Sequence, residues 1–247
     1  MITARYKIAG KVVEINSIHN GVHEYCADYV SKEPADYSVT ISQENISYER
    51  ERSAREDIAE GRDVIEYSDS YLEELAVYRK IADKMLEYDT ILFHGSVIAV
   101  DGVGYLFTAK SGTGKSTHTR YWREVFGERA VMVNDDKPLL HVSDGGVTAF
   151  GTPYNGKHRL GTNTAVPLKA ICILTRSEEN YIEPVTRSQV YTMLLQQVNR
   201  PADAVKMQKT LQLIDRLAEN VKLYRLGCNM SPDAAKVAFE GMNKTDN

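Results

Sequence analysis

The sequence predicts an α/β fold: a mixed β-sheet flanked by helices and carrying a phosphate-binding loop, with a small α+β lobe at the N-terminal end. Three observations predict it. "TILFHGSVIAVDGVGYLFTAKS" holds two apolar runs separated by Asp101-Gly102-Val103-Gly104, and aspartate and glycine tolerate the positive φ that a tight hairpin turn needs. The second run leads into "SGTGKST", and "GKSTHTRYWREVFG" then reads as a helix ended by Gly127. "RAVMVN" follows as a strand closed by the acidic pair Asp135-Asp136. Strand, glycine-rich turn, helix, strand and acid is the order a phosphate site needs. The hairpin makes the loop strand antiparallel to its predecessor, so the sheet is mixed and not a purely parallel βαβ array.

The remaining elements follow in chain order. "RYKIAGKVVEI" and "DYSVTIS" have β-type composition, while "ISYERERSAREDIAEGRD" is charged throughout. Residues 1–69 therefore read as the α+β lobe and residues 70–247 as the main domain. "SYLEELAVYRKIADKMLEYD" is an amphipathic helix. Ser70 and Glu73 have capping-box spacing, and Tyr71, Leu75, Tyr78, Ala82 and Met85 recur on one face. Further on, "LKAICIL" is a buried strand, and Pro201 parts two helices, "SQVYTMLLQQV" and "ADAVKMQKTLQLIDRLAENV". "KLYRLGCN" is a late strand, and "SPDAAKVAFEGM" a helix with Ser231 as N-cap and Pro232 in its first position.

Composition removes several function classes. With 30 Lys and Arg against 34 Asp and Glu the net charge is -4, which leaves no cationic excess to neutralise a nucleic-acid backbone. The three cysteines, Cys26, Cys172 and Cys228, form no CxxC pair, so neither a disulfide framework nor a zinc site is expected and they read as buried fillers. No apolar run reaches the roughly 18 residues of a membrane span, and the first residues lack a signal-peptide core. No membrane partner is expected, and the cytoplasm is the expected compartment.

Aligned with G-x-x-x-x-G-K-[ST], the chain offers Ala109-Lys110-Ser111-Gly112-Thr113-Gly114-Lys115-Ser116, and only the first position departs. The motif works because backbone N–H groups curl round a phosphate at a helix N-terminus, a lysine spans the outer phosphates and a hydroxyl ligates Mg²⁺. ATP with Mg²⁺ is the expected ligand, held by Ser111, Gly112, Thr113, Gly114, Lys115, Ser116 and Thr117. Gly112 and Gly114 supply the curl, Lys115 the charge and Ser116 the metal ligand. Ala109 replaces a glycine that eases the exit from the strand, which it can do while its φ stays negative.

A buried strand that ends in two carboxylates is costly unless a positive charge compensates them. Mg²⁺ on ATP is such a charge. One of Asp135 and Asp136 then reaches the metal, and the other accepts the proton of an attacking hydroxyl. His94 precedes the hairpin and is a candidate to face the phosphates; its alternative is a satisfied, partly buried side chain. Lys157, His158 and Arg159 in "GTPYNGKHRLGTNTAVP" are candidates to close over the γ-phosphate, against the alternative of an ordinary basic loop.

In "FHGSVIAV", "GYLFTAKSGTGKST", "VNDDKPLL", "GTPYNGKHRL" and "VPLKAICIL" the chain resembles the catalytic domain of HPr kinase/phosphorylase and its relatives, which share a P-loop fold with phosphoenolpyruvate carboxykinases. The specific part runs from Ile91 to Leu174. The resemblance implies that Lys115 and Ser116 hold phosphate and metal, that Asp135 and Asp136 divide the roles of base and metal ligand, with Asp135 favoured as the base and Asp136 as the ligand, and that His94 falls at the place of the family's active-site histidine. It also suggests a homo-oligomer. A short lobe stands where that family has a regulatory N-terminal domain, and "GTPYNGKHRLGTN" is not the signature of the bifunctional enzyme. "GTPxxG" followed by "PLKAI" is more similar to HPr-kinase-like proteins that accompany peptide-modification gene clusters. The implied function is transfer of the γ-phosphoryl group of ATP to a serine-type hydroxyl of a protein, peptide or small molecule. A carboxykinase and a non-catalytic nucleotide-binding protein are the alternatives.

Overall fold

The computed structural model describes residues 1–59, 61–110, 112–156 and 158–244. The chain divides into two compact units, Met1–Lys84 and Met85–Asn247. In the first, β1 (Ile2–Ile8) and β2 (Lys11–Ser17) form an antiparallel hairpin turned at Ala9 and Gly10, both with positive φ, and β3 (Tyr37–Thr40) pairs parallel with β2. A short helix α1 (Gly21–Tyr25) and two long ones, α2 (Gln43–Ala59) and α3 (Asp69–Met85), complete it.

Among the described residues three carboxylates are buried in this unit, and each has fixed partners. Glu49 is paired with Arg79, Asp57 accepts from Arg62 at 2.8 Å and from the Ile65 N–H at 3.1 Å, and Glu73 accepts the backbone N–H groups of Ile18 (2.6 Å) and His19 (2.7 Å). The bonds of Glu73 correct the capping expectation. Its carboxylate is committed to residues 18 and 19, and Ser68, not Ser70, accepts the Tyr71 N–H at 3.3 Å. They also tie α3 to the first unit, whereas the sequence pattern set the boundary at residues 69 and 70. Tyr78, Ala82 and Met85 of the expected face are buried, and Leu72, Ala76, Val77 and Ile81 widen it, whereas Tyr71 is exposed and Leu75 only half-buried.

The second unit is built on β4 (Thr90–Leu92), β5 (Ser96–Val100), β6 (Val103–Thr108), β7 (Ala130–Asn134), β8 (Leu139–Ser143), β9 (Gly146–Phe150), β10 (Ala165–Arg176), β11 (Tyr181–Pro184) and β12 (Lys222–Cys228). Its helices are α4 (Lys115–Phe126), α5 (Arg187–Gln196), α6 (Ala204–Asn220) and α7 (Asp233–Asn243). The sheet order is β4-β8-β9-β10-β6-β5-β7, with β12 also on β10 and β11 on β12. The long strand β10 serves two neighbourhoods. Residues 165–167 pair antiparallel with β9, and the rest runs parallel between β6 and β12. The sheet is mixed, as the hairpin implied, and that hairpin turns on Asp101 (φ 53°) and Gly102 (φ 79°).

Strand direction decides where a site can form. β5 is antiparallel to both β6 and β7, so β6 and β7 run the same way and end on one edge, about 10 Å apart at the usual strand spacing. β10 and β12, parallel to β6, end on that edge too. Alternate residues feed two cores. Ile98, Tyr105 and Phe107 pack with Trp122 of α4 and Ala238 of α7, and Val97, Leu106 and Ile171 with Leu194 of α5 and Leu213 of α6. The helices thus cover both faces and leave the strand ends as the open edge. Ser231 accepts the Asp233 N–H at 3.2 Å, and α7 begins one residue later than expected. Cys26 and Cys172 are buried, Cys228 is half-buried, and all three are free thiols.

Candidate active site

The turn from β6 into α4 starts at Ala109, which is 1% exposed and packs in the core beneath α4. Its φ is not positive, so the departure from the glycine pattern costs no backbone strain. Gly112 (φ 74°) and Gly114 (φ 111°) do need to be glycine, for conformation and not for space, since a Cβ at either would meet no atom closer than 4.0 Å. Among the described residues no side chain caps α4, and its first turn has no acidic residue. The positive end of the helix is therefore left to a ligand or to water. From the end of β10, the Arg176 guanidinium donates to the Gly112 carbonyl oxygen at 2.9 Å and fixes that peptide.

The acidic edge is built on Asn134, the last residue of β7 and fully buried. Its Oδ1 accepts the backbone N–H groups of Asp136 (2.9 Å) and Lys137 (2.7 Å), while its Nδ2 donates to Thr152 Oγ1 (2.9 Å). Thr152 in turn donates to the Lys137 carbonyl at 3.0 Å. One buried amide thus locks the Asp135-Asp136 turn onto the loop after β9. Losing one such bond in a buried network leaves a polar group unsatisfied, at about 1–3 kcal/mol. Gly151 is the only residue type that fits at the root of that loop, because a Cβ there would lie 1.8 Å from the Thr162 carbonyl oxygen.

Asp135 is 5% exposed, and the Ser96 hydroxyl at the start of β5 donates to its backbone oxygen at 3.0 Å and to its carboxylate at 3.3 Å. Burial raises the Asp135 pKa above the ordinary carboxylate value. The Ser96 bond opposes that rise, the Asp136 charge adds to it, and the charges of Arg123 and His158 again oppose it. Asp136 moves the other way. Burial pushes it up, but the His94 hydrogen bond (Nε2 to Oδ1, 3.2 Å) and the charges of Lys137, His94 and Lys115 together hold it below its usual value. The Lys115 ammonium is held low by burial, which the two aspartates only partly offset.

These groups face one cavity of about 310 Å³, lined by Gly112, Gly114, Lys115, Ser116 and Thr117 on one side and by Asp135, Asp136, Gly156 and His158 on the other. Two strand ends separated by β5 thus bring the phosphate motif and the acidic pair together. His94 reaches the cavity through Asp136 and does not line it. Thr113 turns to the opposite flank, where it lines a second cavity of about 470 Å³. Arg159 is exposed, has φ 48° and stays outside the lining of both cavities. Ser111 and Lys157 lie outside the described residues.

A hydroxyl and carboxylates are hard oxygen donors of the kind Mg²⁺ takes, and Mg²⁺ completes its shell with water or phosphate oxygens. The donor set of Ser116 and Asp136 fits that ion. Among the described residues no three His, Cys, Asp or Glu side chains gather into a metal site, so a cation here needs oxygens from a substrate or water.

A protein-family model described as SynChlorMet cassette protein ScmC matches residues 69–233, well over half of the chain. The chain belongs to the ScmC family. The ScmC segment contains every residue that lines either cavity, together with His94, Ser96 and Asn134. No curated protein sequence matches the chain. Among solved structures it is similar to one described as the Hpr(Ser) kinase/phosphatase from Coxiella burnetii, at 9% identity over 61% of this chain and 95% of that one, with a TM-score of 0.34. So loose a likeness bears on no residue of the site. No helix among the described residues is long and apolar enough to cross a membrane.

Sequence reasoning gave no role to Ser96, Gly156, Arg123 or Arg176. Ser96 sat in plain view beside His94, but only the strand register aims it at Asp135. A Cβ on Gly156 would lie 3.2 Å from the Asp135 carboxylate. Arg176 stands 64 positions from the carbonyl it holds, and no local pattern signals such a contact.

Proposed function

We propose that this ScmC-family chain is an ATP- and Mg²⁺-dependent phosphotransferase that moves the γ-phosphoryl group to a serine-type hydroxyl of a protein, peptide or small molecule. The observation that carries the proposal is the single cavity in which an uncapped helix start, a half-buried ammonium and two adjacent carboxylates face one another. Phosphoryl transfer asks for little beyond such positioning and charge neutralisation.

Lys115 and the first-turn amides of α4 hold the outer phosphates. Ser116 and Asp136 hold Mg²⁺, which when bound neutralises phosphate charge. The depressed pKa of Asp136 keeps it anionic for that task, and His94 orients it. Asp135 is the base, and its raised pKa supports the role because it makes the carboxylate a better proton acceptor. The acceptor oxygen attacks the γ-phosphorus as its proton passes to Asp135. The bond from that phosphorus to the β,γ-bridging oxygen breaks, and ADP leaves with the electron pair. His158 lines the cavity together with Asp135 and Gly156 and is the member of its basic run that meets developing charge, whereas Arg159 stays outside the lining. The reaction belongs in the cytoplasm, where ATP is kept.

The test is transfer from γ-labelled ATP to free serine, serine peptides and proteins in the presence of Mg²⁺. Wild type is expected to label a serine acceptor, Asp135→Asn to lose about two to four orders of magnitude, and Lys115→Ala to be inactive. Normal MgATP binding with no labelled acceptor contradicts the proposal, and formation of phosphoenolpyruvate from oxaloacetate replaces it with carboxykinase chemistry.

A further inference from the structure

The glycine turn has two flanks. The one opposite the charged cavity opens into the second cavity, of about 470 Å³, at the C-terminal ends of β10 and β12. The two cavities share Gly112, Gly114 and Thr117, so a molecule lying across the turn touches both. The volume falls within the range of about 300–1,000 Å³ typical of small-molecule sites. The chemistry of the two walls differs: among the described residues no carboxylate lines the second cavity.

His118 is the most constrained group in this wall, at 3% exposure. Its Nε2 accepts the indole N–H of Trp122 at 3.0 Å. An indole nitrogen only donates, so the imidazole proton sits on Nδ1. Its Nδ1–H makes no hydrogen bond to any described residue, so the cavity wall carries a neutral donor of fixed tautomer. Tyr121, one helical turn from Thr117, donates its hydroxyl to the Met230 carbonyl at 3.1 Å and holds the far rim in place. Arg176, anchored on Gly112, adds a flat guanidinium of the kind that stacks on aromatic rings.

We infer that the second cavity seats the nucleoside half of the phosphoryl donor, with Tyr121 and Arg176 against the base and the Nδ1–H of His118 donating to a ring nitrogen. A flat ring with acceptor nitrogens, joined to a polyphosphate, is the ligand that uses both walls and crosses the glycine turn. The inference rests on the phosphotransferase reading and assigns to it the residues that distinguish a nucleotide from an inorganic polyphosphate.

The experiment compares MgATP with magnesium tripolyphosphate by titration calorimetry, on wild type and on Cys228→Phe, which fills the cavity from its β12 side. Wild type is expected to bind MgATP at least tenfold more tightly than tripolyphosphate, and Cys228→Phe to erase that difference while leaving tripolyphosphate binding unchanged. Retained tripolyphosphate binding also reports that the variant is folded. A second readout needs no variant. Trp122 is the only tryptophan, and MgADP, but not tripolyphosphate, is expected to change its fluorescence through His118. Equal affinities in wild type with silent fluorescence, or an ATP preference that survives Cys228→Phe, overturn the inference and leave the phosphate site standing. Binding of neither ligand overturns the phosphotransferase reading itself.

Discussion

Buried charge is handled differently in the two units of this protein. In the first, Glu49, Asp57 and Glu73 are each satisfied by an arginine or by backbone N–H groups of the same unit. The Ile65 N–H and the Arg62 guanidinium outweigh burial and hold the Asp57 carboxyl below its usual pKa. In the second, burial keeps Asp135 above its ordinary pKa and Lys115 below, despite the partners each has. Folding normally leaves buried ions paired, because an unpaired one costs several kcal/mol. Charges brought together and left partly uncompensated are thus the mark of a site that a ligand completes. The first unit keeps its partners within the chain, and the second leaves room for them.

Exchanging the roles of the two regions breaks or sharpens that comparison. The largest effect is expected from parallel neutralisations. Asp135→Asn should remove about two to four orders of magnitude of transfer with little or no loss of stability in urea. Glu49→Gln strands Arg79 and should cost about 3–5 kcal/mol, without lowering transfer by the fraction that stays folded. Equal destabilisation by the two variants would erase the distinction.

Acid unfolding tests His118. Its folded pKa of about 3 lies below its ordinary value of 6.5, so the unfolded chain binds the extra proton. Stability is therefore expected to fall as pH drops from about 6.5 towards 3, at up to about 1.4 kcal/mol per unit. His118→Gln, whose carbonyl still accepts the Trp122 N–H, should remove that slope.

Smaller effects come from the partners of the acidic pair. Ser96→Ala deletes a bond that favours ionised Asp135, so the acid limb of kcat should move to higher pH, by about one unit. His94→Asn weakens the support for ionised Asp136 and should raise the Mg²⁺ requirement a few-fold, an effect that shrinks as pH rises.

Local chemistry made part of this legible in advance. The hairpin at Asp101-Gly102, the helix from Lys115 to Gly127 and the acids closing β7 are each written in short-range signals of turn, cap and period. The meeting of loop and acids follows once β5 is antiparallel to both neighbours, which the sequence shows for only one of them. What stayed hidden depends on long-range contact. Ser70 and Glu73 had the spacing of a cap, but the tertiary bonds of Glu73 to residues 18 and 19 outcompeted it. The basic run Lys157-His158-Arg159 looked uniform, yet His158 lines the charged cavity and Arg159 does not. Asn134, which holds the acidic turn together, resembled any polar residue at the end of a strand.

The most direct test of the central claim is calorimetric titration of ATP, with and without Mg²⁺, into wild type and Lys115→Ala. Wild type is predicted to bind MgATP, to bind metal-free ATP far more weakly because Asp135 and Asp136 then face bare phosphates, and to lose about a hundredfold or more of its MgATP affinity in the variant. MgATP binding that is indifferent to both the metal and Lys115 would contradict the account.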